Sequence, residues 1–233
     1  MNFDPKNIAI IGASGTIGSA FKTLLSKKYP YASLYAFARK CEYRIDYHCE
    51  QSIADSAKLA SKNKPLDLVI IANGILHDDN MMPEKSLREC SANKFRHILE
   101  VNMIVPALIA KHFLPNLNRT RPAIFAALSA RVGSISDNRL GGWYAYRASK
   151  AALNMIIKNA AIEISRKNKQ AIIVGLHPGT VDSDLSKPFQ RNIPKEKLFT
   201  PAYATQKMLD VLKDLTPQHS GRCFAWDGKE ILA

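Results

Sequence analysis

The sequence predicts an α/β fold: a doubly wound, mainly parallel sheet flanked by helices on both faces. Three observations carry that expectation. Short β-branched apolar runs alternate with longer helical segments from end to end, the pattern of consecutive strand–helix units. Two of the runs, Ile8-Ala9-Ile10-Ile11 and Leu68-Val69-Ile70-Ile71-Ala72, are apolar at every position, which suits strands covered on both faces. The first run leads straight into a glycine-rich turn, Gly12-Ala13-Ser14-Gly15-Thr16-Ile17-Gly18.

Strands are predicted at 7–11, 33–38, 66–72, 123–128, 171–176 and 222–226, with helices at 14–26, 52–62, 94–114, 146–167 and 201–215. No linker, repeat or low-complexity stretch divides them, so 1–233 reads as one domain. The segment 182–200, with Pro188, Pro194 and basic residues between, reads as an irregular loop too long for an ordinary connection. It is a lid candidate, and its Leu185, Phe189, Ile193, Leu198 and Phe199 would suit a partly apolar ligand.

Composition fits that architecture. Hydrophobic residues make up 46% and charged residues 23%, ordinary for a soluble chain able to bury a sizeable core. No continuous apolar run approaches the roughly 18–20 residues of a membrane span, and the N-terminus lacks the build of a signal peptide. A cytoplasmic protein with no membrane partner is expected. Cys41, Cys49, Cys90 and Cys223 form no C-x-x-C pair and read as reduced thiols. The histidines (His48, His77, His97, His112, His177, His219) show neither H-E-x-x-H nor an i,i+4 pair, so no metal is expected. The net charge is +13, which would suit an anionic partner, but the cations are scattered. Their densest cluster, Arg166-Lys167-Asn168-Lys169, closes a predicted helix, where cations complement the helix dipole. No nucleic-acid partner is expected.

The glycine turn lies between a strand and a helix, where backbone N–H groups and the helix N-terminus meet a pyrophosphate. The second strand ends at Ala38, followed by Arg39 and Lys40, with no carboxylate before Glu42. An acidic residue there would take the ribose 2′-hydroxyl of NAD, whereas Arg accommodates the 2′-phosphate of NADP. The expected cofactor is therefore NADP (NADPH) rather than NAD. Farther along, Gly141-Gly142-Trp143-Tyr144-Ala145-Tyr146-Arg147-Ala148-Ser149-Lys150 opens the longest predicted helix. Tyr146 and Lys150 are four apart and share a helix face. An ammonium beside a phenol favours its ionised form and brings it towards acid/base use.

These motifs together resemble the short-chain dehydrogenase/reductase family along essentially the whole chain, and within it the C-factor/sniffer-like branch. The resemblance implies a Rossmann fold and a contact from Gly12, Ser14, Gly15, Thr16, Ile17 and Gly18 to the cofactor. Asp46 resembles the residue contacting adenine, and Asn73-Gly74 the signature closing the fourth strand. Asn102 falls where the family holds a proton-relay water. Tyr146 matches the general acid/base, and Lys150 its partner, which also binds the nicotinamide ribose. Pro178, Gly179, Val181 and Ser183 resemble the segment holding the carboxamide. A homodimer or homotetramer is also implied.

Two departures stand out. Thr16 occupies the middle glycine position of the family's usual turn. The Ser-Ser pair that supplies the carbonyl-polarising hydroxyl reads Ser129-Ala130. Three readings are open: Ser134, Ser129, or no serine. Ser134, twelve residues before Tyr146, is favoured for its spacing. The implied activity is hydride transfer between the cofactor and a carbonyl or alcohol substrate. The alternative is a cofactor-binding signalling or sensor protein with little turnover.

Overall fold

The computed structural model describes residues 3–233. In chain order it contains β1 (Asn7–Ile11), α1 (Thr16–Lys28), β2 (Ser33–Ala38), β3 (Tyr43–Arg44), α2 (Glu50–Ser61) and β4 (Leu68–Ile71). There follow α3 (Ala92–Leu99), α4 (Val105–Phe113), β5 (Ala123–Leu128), α5 (Tyr144–Ser165) and β6 (Ala171–His177). The chain closes through β7 (Thr180–Val181), β8 (Leu198–Phe199), α6 (Pro201–Asp214), β9 (Cys223–Ala225) and β10 (Glu230–Ile231).

Eight strands form one sheet in the order β10-β9-β6-β5-β4-β1-β2-β3. Every pairing is parallel except that of β10 with β9. The expected doubly wound, mainly parallel architecture is what forms. The apolar runs explain themselves in it. In β1, Ala9 and Ile11 face one core with Ile53, Ile109, Phe113 and Leu153. Ile8 and Ile10 face the other, with Phe21, Leu25, Met208 and Leu212. Burial on both faces leaves no position for a polar residue. Strand order reverses between β1 and β4, the switch point at which such sheets open a crevice beyond their carboxyl ends.

Several boundaries differ from the sequence reading. α1 begins at Thr16 and α5 at Tyr144. The helix expected at 94–114 is divided by a π-helical turn at Glu100–Ile104. β3, β7, β8 and β10 are two residues each, too short for any periodicity to register. The lid segment is more ordered than expected: 3-10 turns cover Lys187–Asn192 and Lys195–Lys197, and β8 pairs in parallel with β7. The 25-residue stretch Ala92–Asn116 holds an 18-residue window of mean hydropathy 1.4, long and apolar enough to cross a membrane by length and composition. This corrects the expectation of no span-length segment. A pattern broken by single polar residues passes where no continuous run does, and its Ile98, Val105, Ile109 and Phe113 are buried within the fold.

At the opposite, amino-terminal edge, Asp67 pins the sheet. Its buried carboxylate accepts from the backbone N–H of Lys6 (2.7 Å) and Asn7 (3.1 Å), from Asn118 Nδ2 (2.9 Å), and from Arg121 Nε (3.0 Å) and Nη2 (2.5 Å). One side chain thus joins β1, β4 and the 118–121 turn. Asp67→Ala strands several of these donors and should lower unfolding free energy by about 3 kcal/mol, since Arg121 keeps some access to water. Urea denaturation checks this; a loss below about 0.5 kcal/mol, the size of an ordinary surface change, contradicts it.

Candidate active site

The glycine turn is shaped by close backbone contact. Gly12 has φ +83°, and a Cβ there would lie 2.7 Å from Asn73 N and 2.9 Å from the Ala72 carbonyl carbon. A Cβ on Gly18 would lie 2.1 Å from the Gly12 oxygen. Both positions exclude a side chain. Gly15 is different: its Cβ would meet only the Gly12 oxygen, at 3.5 Å, an ordinary contact. Packing therefore dictates Gly12 and Gly18, while the bareness of Gly15 keeps an approach open. Ser14, Gly15 and Thr16 are exposed. α1 has no side-chain cap and no acid in its first turn, so its first N–H groups, at Thr16, Ile17 and Gly18, lack intrahelical partners and favour an anion. Thr16 in the middle position thus offers its backbone to that site without crowding the Gly12–Gly18 contact.

Two buried polar atoms near this turn lack partners. Asn73 donates Nδ2 to the Val101 carbonyl (2.8 Å), but its Oδ1 is unpaired. The Tyr47 hydroxyl, on the turn between β3 and α2, is also unpaired. Burial pushes the Tyr47 phenol up to about 12, against smaller opposing pulls from the Gly12 backbone and Arg39. Buried polar atoms are ordinarily satisfied, so this crevice suits a ligand with polar groups to supply. Arg39 and Lys40 stand exposed just beyond β2. The Asp46 carboxylate accepts from His48 N (3.0 Å), holding the turn into α2.

On the other side of the switch point, the first two turns of α5 carry Tyr146 and Lys150. Both are buried, and Lys150 Nζ lies 5.7 Å from the centre of the Tyr146 ring. Nζ donates to the Leu128 carbonyl at the end of β5 (2.9 Å). Gly74 closes the other side: a Cβ built there would sit 3.5 Å from Nζ and 3.4 Å from Asn102 Oδ1. Burial pushes the Tyr146 phenol up to about 12 and the Lys150 ammonium down to about 8, each favouring the neutral form. Asn102, fully buried in the π-helical turn, donates Nδ2 to the Ile75 carbonyl (2.8 Å) and Ser149 Oγ (3.1 Å), and its Oδ1 accepts from Ile75 N (2.8 Å). Ser149 in turn donates to the Tyr146 carbonyl (2.7 Å). The Asn102 side chain thus ties the loop after β4 to the helix of Tyr146, and both its amide protons are engaged in doing so.

Both candidate serines have partners of their own in the structure. Ser134 Oγ accepts from Asp137 N (3.1 Å) and pairs with Ser136 Oγ (3.3 Å), so it is committed to its own turn. Ser129 Oγ donates to Asn154 Oδ1 on α5 (2.6 Å). Tyr146 shares a buried cluster with Leu76 and Ala130, against which Val132, Trp143 and Phe189 pack. The chain reaches Tyr146 from β5 by way of the 3-10 turn Arg131–Gly133 and the loop after it, in which Ser134 lies.

At the carboxyl end of β6, Gly179 has φ +76°, and a Cβ there would lie 2.6 Å from the Phe199 ring. Pro178 and Gly179 are half-buried, and Val181 is buried in β7. Ser183 Oγ donates to the Val181 carbonyl (3.2 Å) and lies 3.4 Å from Ser186 Oγ. The lid is tied across the crevice by His77, whose Nε2 lies 3.2 Å from the Asp184 carbonyl oxygen and 3.1 Å from that of Leu185. Phe189 packs on Trp143 (4.9 Å between centroids), and Trp143 on Tyr146 (6.2 Å). Among the described residues no cluster of metal-ligating side chains occurs. Trp143, His77 and Tyr47 carried no expectation as site neighbours, whereas Phe189 was among the residues of the 182–200 segment expected to suit an apolar ligand. The Gly141-Gly142 pair before Trp143 was the one local signal.

The crevice thus brings an anion-binding turn, two unsatisfied polar atoms and a buried phenol–amine pair to one edge of the sheet. Comparison with known proteins agrees in family. The 1-hydroxy-2-glutathionyl-2-methyl-3-butene dehydrogenase of Rhodococcus sp. (strain AD45) is 32% identical over 199 residues, 84% of this chain and 82% of that protein. The C-signal protein of Myxococcus xanthus is 34% identical over 131 residues, 56% of this chain and 74% of that protein. In fold, the NADPH-bound carbonyl reductase from chicken fatty liver superposes with a TM-score of 0.83 at 23% identity, covering 98% of this chain and 99% of that one. With residues 6–194 also matching the family model described as short chain dehydrogenase, the chain belongs to the short-chain dehydrogenase family.

Proposed function

We propose that the chain is an NADP(H)-dependent oxidoreductase acting on a carbonyl or alcohol substrate. The observation that carries this reading is the Tyr146–Lys150 pair, buried at the crevice that the glycine turn opens. NADPH would lie along Ser14–Gly18, with Arg39 and Lys40 towards its 2′-phosphate and Asp46 towards its adenine. Asn73 Oδ1 and the Tyr47 hydroxyl are the unsatisfied atoms it would meet. Lys150 would bind the nicotinamide ribose, and Gly74, Pro178, Gly179 and Val181 would border the nicotinamide. When bound, NADPH supplies the hydride.

Tyr146 acts as the acid. A phenol held near 12 is weakly acidic towards water, but the substrate oxygen becomes far more basic as it takes on alkoxide character. Proton transfer from the phenol then runs downhill. Lys150, still a cation below its pKa of about 8, stabilises the phenolate left behind. Asn102 holds the loop after β4 against this pair. Because Ala130, with its methyl group, shares the Tyr146 cluster and the hydroxyls of Ser129 and Ser134 bond elsewhere, both polarisation and protonation of the carbonyl fall on the phenol. The same methyl favours a second reading, a cofactor-binding sensor with slow turnover. The enzyme reading also expects a homodimer or homotetramer through the α4 and α5 faces, where Ile104, Met155 and Ile162 are exposed.

Two measurements test these roles. Tyr146→Phe should bind NADPH as wild type does and lose about a hundredfold or more in single-turnover carbonyl reduction, the scale of a lost general acid. Full turnover in the variant contradicts the assignment, and wild-type binding without turnover across a broad carbonyl panel favours the sensor. Gly15→Ala should fold with an unchanged melting temperature yet lose about tenfold or more in NADPH affinity, because the methyl occupies the approach to the α1 N–H groups. Gly18→Ala should instead destabilise the fold, since its Cβ would strike backbone 2.1 Å away. Equal affinity in Gly15→Ala and wild type contradicts the placement.

A further inference from the structure

Glu84 is a buried carboxylate that the proposed chemistry does not use. It lies in the long connection between β4 and α3, and among the described residues no cation pairs with it. Its two acceptors instead meet the start of α5. The Glu84 backbone oxygen accepts from Trp143 N (2.5 Å), and its carboxylate Oε2 accepts from Ala145 N (3.3 Å).

That start is an unusual one. Gly141, Gly142 and Trp143 all have positive φ (62°, 65° and 51°). Positive φ at a bulky residue such as tryptophan is disfavoured and persists only where neighbours enforce it. α5 has no side-chain cap of its own and no acid in its first turn. Glu84 supplies from a remote segment what the local sequence lacks: acceptors for the orphan N–H groups at the positive end of the helix. Gly142 is part of the fit, since a Cβ there would sit 3.4 Å from the Glu84 carbonyl oxygen. The residue following the clamped N–H is Tyr146, whose ring packs on the strained Trp143.

We propose that Glu84 is a positioning residue for Tyr146. Its carbonyl and carboxylate hold the left-handed entry of α5 and so fix where the phenol points. Released from the clamp, Trp143 relaxes towards ordinary backbone angles and the first turn frays, carrying Tyr146 with it. The inference rests on Tyr146 as the acid, but the clamp itself can be read without turnover.

The test compares Glu84→Ala, Glu84→Gln and Glu84→Asp at a temperature where each is fully folded by circular dichroism. Hydrogen exchange at residues 144–147 should quicken about tenfold or more in Glu84→Ala, as a freed first turn opens locally. In the same variant kcat should fall about tenfold or more while KM and NADPH affinity stay within about twofold, as expected when only alignment is lost. Glu84→Gln keeps an acceptor oxygen in place and should restore exchange and kcat to within about threefold of wild type. If Glu84→Ala fails to fold, Glu84→Asp replaces it, its oxygen withdrawn from Ala145 N by one methylene, with the same split expected in smaller measure. A lower melting temperature with unchanged kcat and exchange, or a Glu84→Gln variant as slow as Glu84→Ala, overturns the proposal. Faster exchange combined with full activity in Tyr146→Phe would instead mark the failure of the catalytic reading.

Discussion

The site depends on one close approach, the Gly12 backbone wedged between the first turn of α1 and the end of β4. A methyl group on Gly12 or Gly18 would strike main-chain atoms that have nowhere to move. That contact sets the angle at which α1 leaves the sheet, and so points its first N–H groups over the switch point. It also brings Asn73 up to the turn, from where Asn73 Nδ2 reaches the π-helical segment at Val101. One residue farther, Asn102 and its partner Ser149 pass the alignment to α5. The anion-binding edge and the phenol–amine pair are thus parts of a single packed chain of contacts, not separate features on one scaffold.

Charge and burial act together along that chain. Tyr146 and Lys150 are both buried, Tyr146 in a cluster with Leu76, Trp143 and Phe189, and burial raises the cost of ionising Tyr146 and of protonating Lys150. A ligand carrying charge into the crevice therefore changes the state of the pair more than it could at an exposed site. The 182–200 segment meets the crevice through the contact of Phe189 with His77, and the β7–β8 pairing ties it beside the Pro178-Gly179 segment.

Much of this was legible in the sequence. Strands buried on both faces leave an unmistakable apolar signature, and β1, β2, β5 and β6 fall where it places them. Gly12, Gly18, Asn73, Asn102, Tyr146 and Lys150 all meet at the crevice, because each sits at a fixed offset from an element end. What stayed hidden depends on contacts between distant segments. Ser134 was favoured on spacing, yet its hydroxyl closes a local turn, and which atom faces Tyr146 follows from the path of the chain after β5. Glu84 has no sequence signal at all as a cap, since its partner lies 61 residues away. Two-residue strands carry no periodicity, and a helix broken by a π-helical turn reads as continuous.

The central claim is that the crevice built on Gly12 is a dinucleotide site serving Tyr146. A crystal structure of the chain with NADPH bound tests it most directly. The expected result is the pyrophosphate on the N–H groups of Thr16, Ile17 and Gly18, a partner for Asn73 Oδ1, and the nicotinamide against the Tyr146 hydroxyl and Lys150 Nζ. A cofactor bound elsewhere, or one whose nicotinamide lies away from Tyr146, would contradict it.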